Sequence, residues 1–524
     1  MIINSICEVL KKSFLKHAKL PALKIGEKFW NYEEIYSDAI KLANWLKLSA
    51  SKPKMIGILA SRSKTAYTAV ISSLFSGCSF VPLNKNFPLE RTLMMIQSAE
   101  IDVLIVDAGS LASLNSLLEN VSRKPVIICP EGDPSQLESE LSVITQYELG
   151  TSANSFEFSD TSVPEDIAYL LFTSGSTGIP KGVPISLRNL FSFVYASQKK
   201  FYIQSFDRVS QTFDLTFDLA IFDILMTWCH GACLCAMQTI DLLAPTHFVR
   251  ENKITVWFSV PSVISLARKK NILHPDSMPS LRLSLFCGEA LSVQNAQAWQ
   301  QAAPQSVIEN LYGPTEFTIA CMSYRFNSSF HAEDDLVPIG KPYEGVTAKV
   351  LDKNGEEKNE GELWLSGPQM FRGYWKNEVQ TKSVITHKSG YSYYRTGDRV
   401  KILSDGNIYY LGRFNDQIKV NGYRIELSEV ESCIRKYPTV NEVAVFGWPQ
   451  EEGNYTGLIA FVTGEDCTEK EILEFIKLKL PSYMLPNKIK CLKFMPLNSN
   501  GKIDKKYLKL SLCDESPRLH QEIS

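Results

Sequence analysis

One segment concentrates the groups that hold polyphosphate. An apolar run, Leu170-Leu-Phe172, leads straight into Thr173, Ser174, Gly175, Ser176, Thr177 and Gly178, and Ile179-Pro-Lys181-Gly-Val183 closes the loop. Such a loop has little side-chain bulk, so backbone N–H groups can approach a ligand, while hydroxyls donate and Lys181 adds positive charge. The spacing from Gly175 to Lys181 does not give the G-x-x-x-x-G-K-[ST] of a Walker loop. A plain surface turn is the ordinary reading of a Gly/Ser stretch after a strand. Hydroxyls at Thr173, Ser174, Ser176 and Thr177, with the Pro-Lys-Gly closure, weigh against it.

Other short segments carry isolated polar groups: Asn310-Leu-Tyr-Gly-Pro-Thr-Glu316, Tyr394-Arg-Thr-Gly-Asp398, Gly412-Arg-Phe-Asn-Asp-Gln-Ile-Lys-Val-Asn-Gly-Tyr-Arg-Ile-Glu426 and Asn500-Gly-Lys-Ile-Asp504. Singly, each reads blandly. An Asp after Thr-Gly is a turn residue or cap, a Glu after Pro-Thr a surface or helix-start carboxylate, and a Lys after Asn-Gly a solvated hairpin residue. In order with the loop, however, they resemble the motif series of the adenylate-forming enzymes: acyl-CoA synthetases, luciferases and the adenylation domains of nonribosomal peptide synthesis. Gly361-Glu-Leu-Trp-Leu-Ser-Gly367 with Phe371-Arg-Gly-Tyr374, and Gly77–Glu90, fit the same series. The resemblance runs from about Glu33 to Leu510.

Enzymes of this kind activate a carboxylic acid by its attack on the α-phosphate of ATP, which yields an acyl-adenylate and pyrophosphate. Both reactants are negative, so positioning and charge neutralisation dominate. The resemblance implies ATP and Mg²⁺, and it assigns the site residue by residue. The Thr173–Lys181 loop would hold the β- and γ-phosphates. Thr315 would contact the α-phosphate, Glu316 would help hold Mg²⁺, and Tyr312 would pack on the adenine. Asp398 would accept from both ribose hydroxyls, which suits a carboxylate with two acceptor oxygens, with Arg413 nearby. Lys502 would reach in from the C-terminal domain to bridge the acid and the adenylate oxygens. By the resemblance, that domain would turn about a hinge after Gly412-Arg413, and in its second orientation the loop around Lys419–Gly422 would admit a pantetheine thiol. The usual Asp or Lys of the hinge is replaced here by Asn415 followed by Asp416. Asn tolerates unusual backbone angles, so these two residues are the hinge candidates.

Phe213-Asp-Leu-Thr-Phe-Asp-Leu-Ala-Ile-Phe-Asp223 places Asp218 where amino-acid-activating members carry the carboxylate for the substrate α-ammonium. A carboxylate beside an apolar pocket needs such a cation; capping the following helix is its other reading. By resemblance the pocket is lined by Leu219, Phe222, Phe258, Leu285, Cys287, Leu311, Ile319 and Ala320. That apolar lining points to a small uncharged side chain, or to a deeper aliphatic pocket floored by Phe. Leu285-Phe-Cys-Gly-Glu289, Thr216–Asp223, Phe414–Glu426 and Leu480-Pro-Ser-Tyr-Met-Leu-Pro486 look most like the D-alanine–carrier protein ligases. The expected activity is a stand-alone ligase that adenylates a small amino acid, D-alanine favoured, and loads a carrier protein's phosphopantetheine thiol. No Leu-Gly-Gly-x-Ser attachment site follows Leu510, so the carrier is expected in trans. The alternatives are an acyl- or aryl-CoA ligase, an L-amino-acid adenylation enzyme of a peptide natural-product pathway, or a non-catalytic nucleotide-binding homologue. Intact Lys502, Glu316 and Asp398 weigh against the last.

These residues need elements to hold them. Helical spacing covers Glu33–Leu48, Ala66–Ser76, Leu89–Ala99 and Leu111–Glu119, and buried strands are predicted at Met55–Leu59, Ile101–Val106 and Val126–Cys129. That alternation predicts α/β architecture with mostly parallel sheets under helices. Gly132–Pro164 reads mostly as surface connection. From Gly361 short Gly-punctuated strands suggest a small barrel-like part. The expected domains are an N-terminal core of packed α/β subdomains (1–413), a small mobile α+β domain (414–510) and a polar tail (511–524). Lys plus Arg number 55 and Asp plus Glu 57, a net charge of −2, which offers no field for nucleic acid or anionic membrane. No apolar stretch reaches the roughly 18 residues of a membrane span, and the N-terminus lacks a signal-peptide pattern, so a cytoplasmic location is expected. The 12 cysteines are scattered, as for reduced thiols. Cys229, His230, Cys233 and Cys235 lie in one apolar strand-like run rather than in separated pairs, so they read as buried thiols and not as a zinc site.

Overall fold

The run Met55–Leu59 is buried at every position, as is Val103–Val106, which requires cover on both faces. In the computed structural model of the chain these strands lie inside a seven-stranded sheet. Its order is Val143–Thr145, Val126–Cys129, Val103–Val106, Met55–Leu59, Ser79–Leu83, Ile167–Thr173, Lys181–Ser186, parallel except for the last pair. The helix Lys64–Ser76 follows Met55–Leu59. Ser63 caps its start by accepting from the Ala66 N–H, and left-handed Gly77 (φ 74°) ends it. The structure describes residues 5–49, 53–121, 123–131, 133, 137, 143–145, 149, 163–175, 179–327, 336–414, 416–464, 468–497 and 503–513.

A nine-stranded sheet runs Lys341–Pro342, Met322–Arg325, Val307–Tyr312, Leu283–Phe286, Val256–Ser259, Arg208–Gln211, Cys233–Ala236, Pro21–Ile25, Lys28–Asn31, with parallel strands in its centre. Its helix Asp218–Trp228 is buried at every residue. Trp228 and Trp257 are fully buried, and each indole N–H finds an acceptor, the Ala22 carbonyl and Ser259 Oγ respectively. An antiparallel sheet of Thr347–Leu351, Glu360–Ser366, Tyr391–Ile402, Ile385–Lys388 and Ile408–Arg413 follows. The C-terminal strands form a four-stranded sheet with Gln417–Val420 and Tyr423–Glu426, and a three-stranded sheet of Val440–Gly447, Leu458–Gly464 and Lys488–Leu492. The chain divides into two compact units, one of Met1–Lys85, Thr92–Thr173 and Lys181–Asn415, the other of Asn86–Arg91, Ser174–Pro180 and Asp416–Ser524.

Three local readings change. The region read as connection contains an edge strand, Val143–Thr145, paired with Val126–Cys129. The helix expected over Leu111–Glu119 is split into a 3₁₀ turn, Ala108–Ser113, and a short helix, Leu114–Glu119. Cys229 caps the helix Asp218–Trp228, and only Cys233–Ala236 is strand. Among the described residues no helix is long and apolar enough to cross a membrane.

Candidate active site

The phosphate-type loop springs from a hairpin. Ile167–Thr173 pairs antiparallel with Lys181–Ser186, so Thr173 stands opposite Lys181 at the loop's stem. Among the described residues Thr173 Oγ1 is buried without a hydrogen-bond partner, an unspent donor at that mouth. Ser174 and Gly175 belong to the smaller unit. There Ser174 Oγ donates to the Arg424 carbonyl at 2.8 Å, and the Gly175 N–H donates to Glu429 at 2.9 Å. Glu429 also receives Arg91 at 2.8 Å. A carboxylate of the same unit thus takes one of the loop's N–H donors. Neither Arg91 nor Glu429 was expected, although Arg91 directly follows the Gly77–Glu90 motif segment. Ser176, Thr177 and Gly178 lie outside the described residues.

Tyr312 ends the strand Val307–Tyr312. Its hydroxyl donates to Asp398 Oδ2. Asp398 sits within the strand Tyr391–Ile402 rather than in a turn, paired across the sheet with Arg413. Arg413 donates to Asp398 Oδ1 at 2.7 Å and to the Thr396 carbonyl at 2.7 Å. Burial, then the Asp398 charge, pushes the Tyr312 phenol well up, so it remains a donor. Asp398 is thus an oriented, charged acceptor in the interior, 4% exposed, with lone pairs to spare for a diol.

Between Tyr312 and Ala320 the chain turns sharply. Thr315–Phe317 is one 3₁₀ turn, followed by positive φ at Thr318 (57°) and Ile319 (70°). Gln369 holds that turn: its side-chain amide donates to the Ala320 carbonyl at 2.9 Å, and its main-chain carbonyl receives Thr318 Oγ1 at 2.6 Å. The turn buries Glu316 completely, contrary to the surface reading. Glu316 Oε1 receives the Tyr374 hydroxyl at 2.7 Å.

Asp218 is the first residue of its helix, and the cap position belongs to Phe217, which makes no side-chain cap. Asp218 is thus not the N-cap but an acidic residue of the first turn. It is 8% exposed. Phe222, one turn on, meets Phe258 edge-to-face at 4.8 Å, and Phe258 meets Phe213 at 5.0 Å. Leu285 pairs in register with Phe258. Leu219, Cys287, Leu311, Ile319 and Ala320 are buried in the same cluster.

In the smaller unit Asp416 is paired with Lys505 at 2.8 Å. Asn421 (φ 49°) and Gly422 (φ 82°) make the two-residue turn of the Gln417–Val420/Tyr423–Glu426 hairpin. Asn415 and Lys502 lie outside the described residues. Among the described residues no group of His, Cys, Asp and Glu suits a metal ion. Cys233 and Cys235 are buried free thiols, and burial pushes the Cys229 thiol up to about 12.

The profile of the AMP-binding enzyme family matches residues 10–375, and that of the AMP-binding enzyme C-terminal domain matches 429–502. A linear gramicidin synthase of Brevibacillus parabrevis is 33% identical over 493 residues, a match that takes in 91% of this chain and only 6% of that protein. An L-proline--[L-prolyl-carrier protein] ligase of Streptomyces coelicolor is 32% identical, with 98% of this chain and 97% of that protein covered. Among solved structures, the Vibrio cholerae adenylation domain AlmE, in complex with glycyl-adenosine-5'-phosphate, matches with a TM-score of 0.86 and 33% identity over 97% of this chain and 98% of that one.

Proposed function

Because the chain belongs to the AMP-binding enzyme family, we propose that it adenylates an amino acid no larger than glycine or alanine and passes it to a carrier-protein thiol. Asp218 carries this reading. It is a buried carboxylate, not a helix cap, set one turn from an edge-to-face Phe floor. The carboxylate pairs with the substrate α-ammonium, and the edge-to-face rings of Phe222, Phe258 and Phe213 supply bulk that favours a small side chain. The glycyl-adenylate held by AlmE supports the size limit, as do the segments similar to D-alanine–carrier protein ligases. The prolyl-carrier protein ligase supports the acceptor.

In the first step a substrate carboxylate oxygen bonds to the α-phosphorus of ATP, and the α–β bridging oxygen leaves with pyrophosphate. In the second, the carrier thiol, losing its proton, attacks the acyl carbon and AMP departs. Asp398, set by Tyr312 and Arg413, orients the ribose. Thr173 and Lys181 meet the outer phosphates, and Thr315 the α-phosphate. Glu316 is a buried oxygen ligand already oriented by Tyr374, and it fits Mg²⁺. Bound there, that ion would offset phosphate charge. Lys502 takes its role from the resemblance.

Removing a buried charge partner costs about 3–5 kcal/mol. Asp218→Ala should therefore lose amino-acid-dependent ATP–pyrophosphate exchange by at least about 100-fold, with ATP affinity unchanged by calorimetry. Full retention of exchange would sink the reading.

A further inference from the structure

Tyr374 closes the segment Phe371-Arg-Gly-Tyr374. It is 7% exposed, yet it touches two groups of opposite charge. Its hydroxyl donates to Glu316 Oε1 at 2.7 Å. The Lys181 ammonium lies 5.5 Å from its ring centroid. Phe371 fixes the ring edge-to-face, centroids 5.1 Å apart, and the Tyr374 N–H donates to Thr381 Oγ1 at 2.9 Å. The Phe371 N–H in turn donates to the Glu316 carbonyl at 2.9 Å. The Tyr374 segment and the Glu316 turn are thus tied by backbone and by side chain.

We propose that Tyr374 is a positioning residue for both charged groups of the MgATP site: its hydroxyl sets the Glu316 carboxylate for the metal, and its ring face seats the Lys181 ammonium. The proposal rests on the functional reading above. A phenol O–H on one carboxylate oxygen fixes the plane of the group, so a hard cation meets an oriented ligand and not a rotating one. The ring attracts an ammonium less strongly than phosphate does. Lys181 is therefore held at the ring face and is easily given up to ATP. Outer partners of metal ligands commonly change metal affinity by about 10–100-fold when removed.

Tyr374→Phe removes the hydroxyl and keeps the ring, hence the Phe371 contact and the lysine seat. Calorimetric titration with ATP at graded Mg²⁺ should show the Mg²⁺ needed for half-maximal binding raised about tenfold, with Mg²⁺-free ATP affinity unchanged. Tyr374→Leu, which also lacks the ring, should in addition lose a few-fold in Mg²⁺-free ATP affinity. An unchanged Mg²⁺ requirement in folded Tyr374→Phe overturns the proposal while the functional reading stands. So does an equal loss with and without Mg²⁺, the mark of a merely structural role. A wild-type protein that bound no ATP under any condition would overturn the functional reading and this proposal with it.

Discussion

Two buried carboxylates of the larger unit have opposite surroundings. Asp398 receives Tyr312 and Arg413, so its charge is offset where a ribose is proposed to sit. Asp223 is fully buried, and neither of its oxygens has a hydrogen-bond partner among the described residues. Burial holds its carboxyl well above the ordinary 3.8; the Thr212 backbone pulls the other way without closing a hydrogen bond. Folded Asp223 is therefore neutral at a pH where the unfolded chain has ionised it. The stability it contributes is intact below about pH 4 and is lost as pH rises toward the folded pKa. Asp223→Asn, neutral at every pH, should raise the thermal unfolding midpoint at pH 8 by about 3 °C, and the gap should close near pH 4. A gap independent of pH would contradict this. Asp218 and Asp223 look alike in the sequence, each following a Phe. Helix phase separates them: five residues turn the second about 140° from the first, which composition cannot show.

The turn from Tyr312 to Ala320 is the element on which the site depends. Positive φ at Thr318 and Ile319 is costly for β-branched residues, and the Gln369 clamp holds it. A Cβ on Gly313 would sit 2.5 Å from Ala320 Cα, so Gly313→Ala must open the turn that carries Thr315 and Glu316. Misplacement by about 1 Å costs about 100-fold in rate. Exchange by Gly313→Ala should fall by that factor, with a lower unfolding midpoint, and normal exchange would refute the argument. The Tyr-Gly-Pro-Thr-Glu motif was readable because it is contiguous. Gln369 was not, since it acts on a carbonyl 49 residues earlier and belongs to no periodic pattern. Helices such as Leu89–Ala99 were readable from one apolar face. The edge strand Val143–Thr145 was not, because its three half-buried residues show no alternation.

Across the molecule, a net charge of −2 is compatible with the proposed polyanionic substrate because its charge would be met locally, by a loop, one lysine and the cation that Glu316 is proposed to hold. Ordered motifs made the α/β class and the family legible. The order of the seven- and nine-stranded sheets was not legible, since strand neighbours are chosen by crossovers and not by local pattern. Phe222 and Phe258 were expected in the pocket lining, but the same limit hid their edge-to-face packing with Phe213, which joins two separate segments. Its size limit is the central claim, and wild-type ATP–pyrophosphate exchange measures it directly. The panel is glycine, D-alanine, L-alanine, L-proline, L-phenylalanine and a medium-chain fatty acid. Each methylene in a hydrophobic pocket discriminates by about 1–3 kcal/mol. Exchange is therefore predicted with glycine or an alanine at least about tenfold above the larger acids. Exchange confined to phenylalanine or the fatty acid, or absent with every acid, would contradict the account.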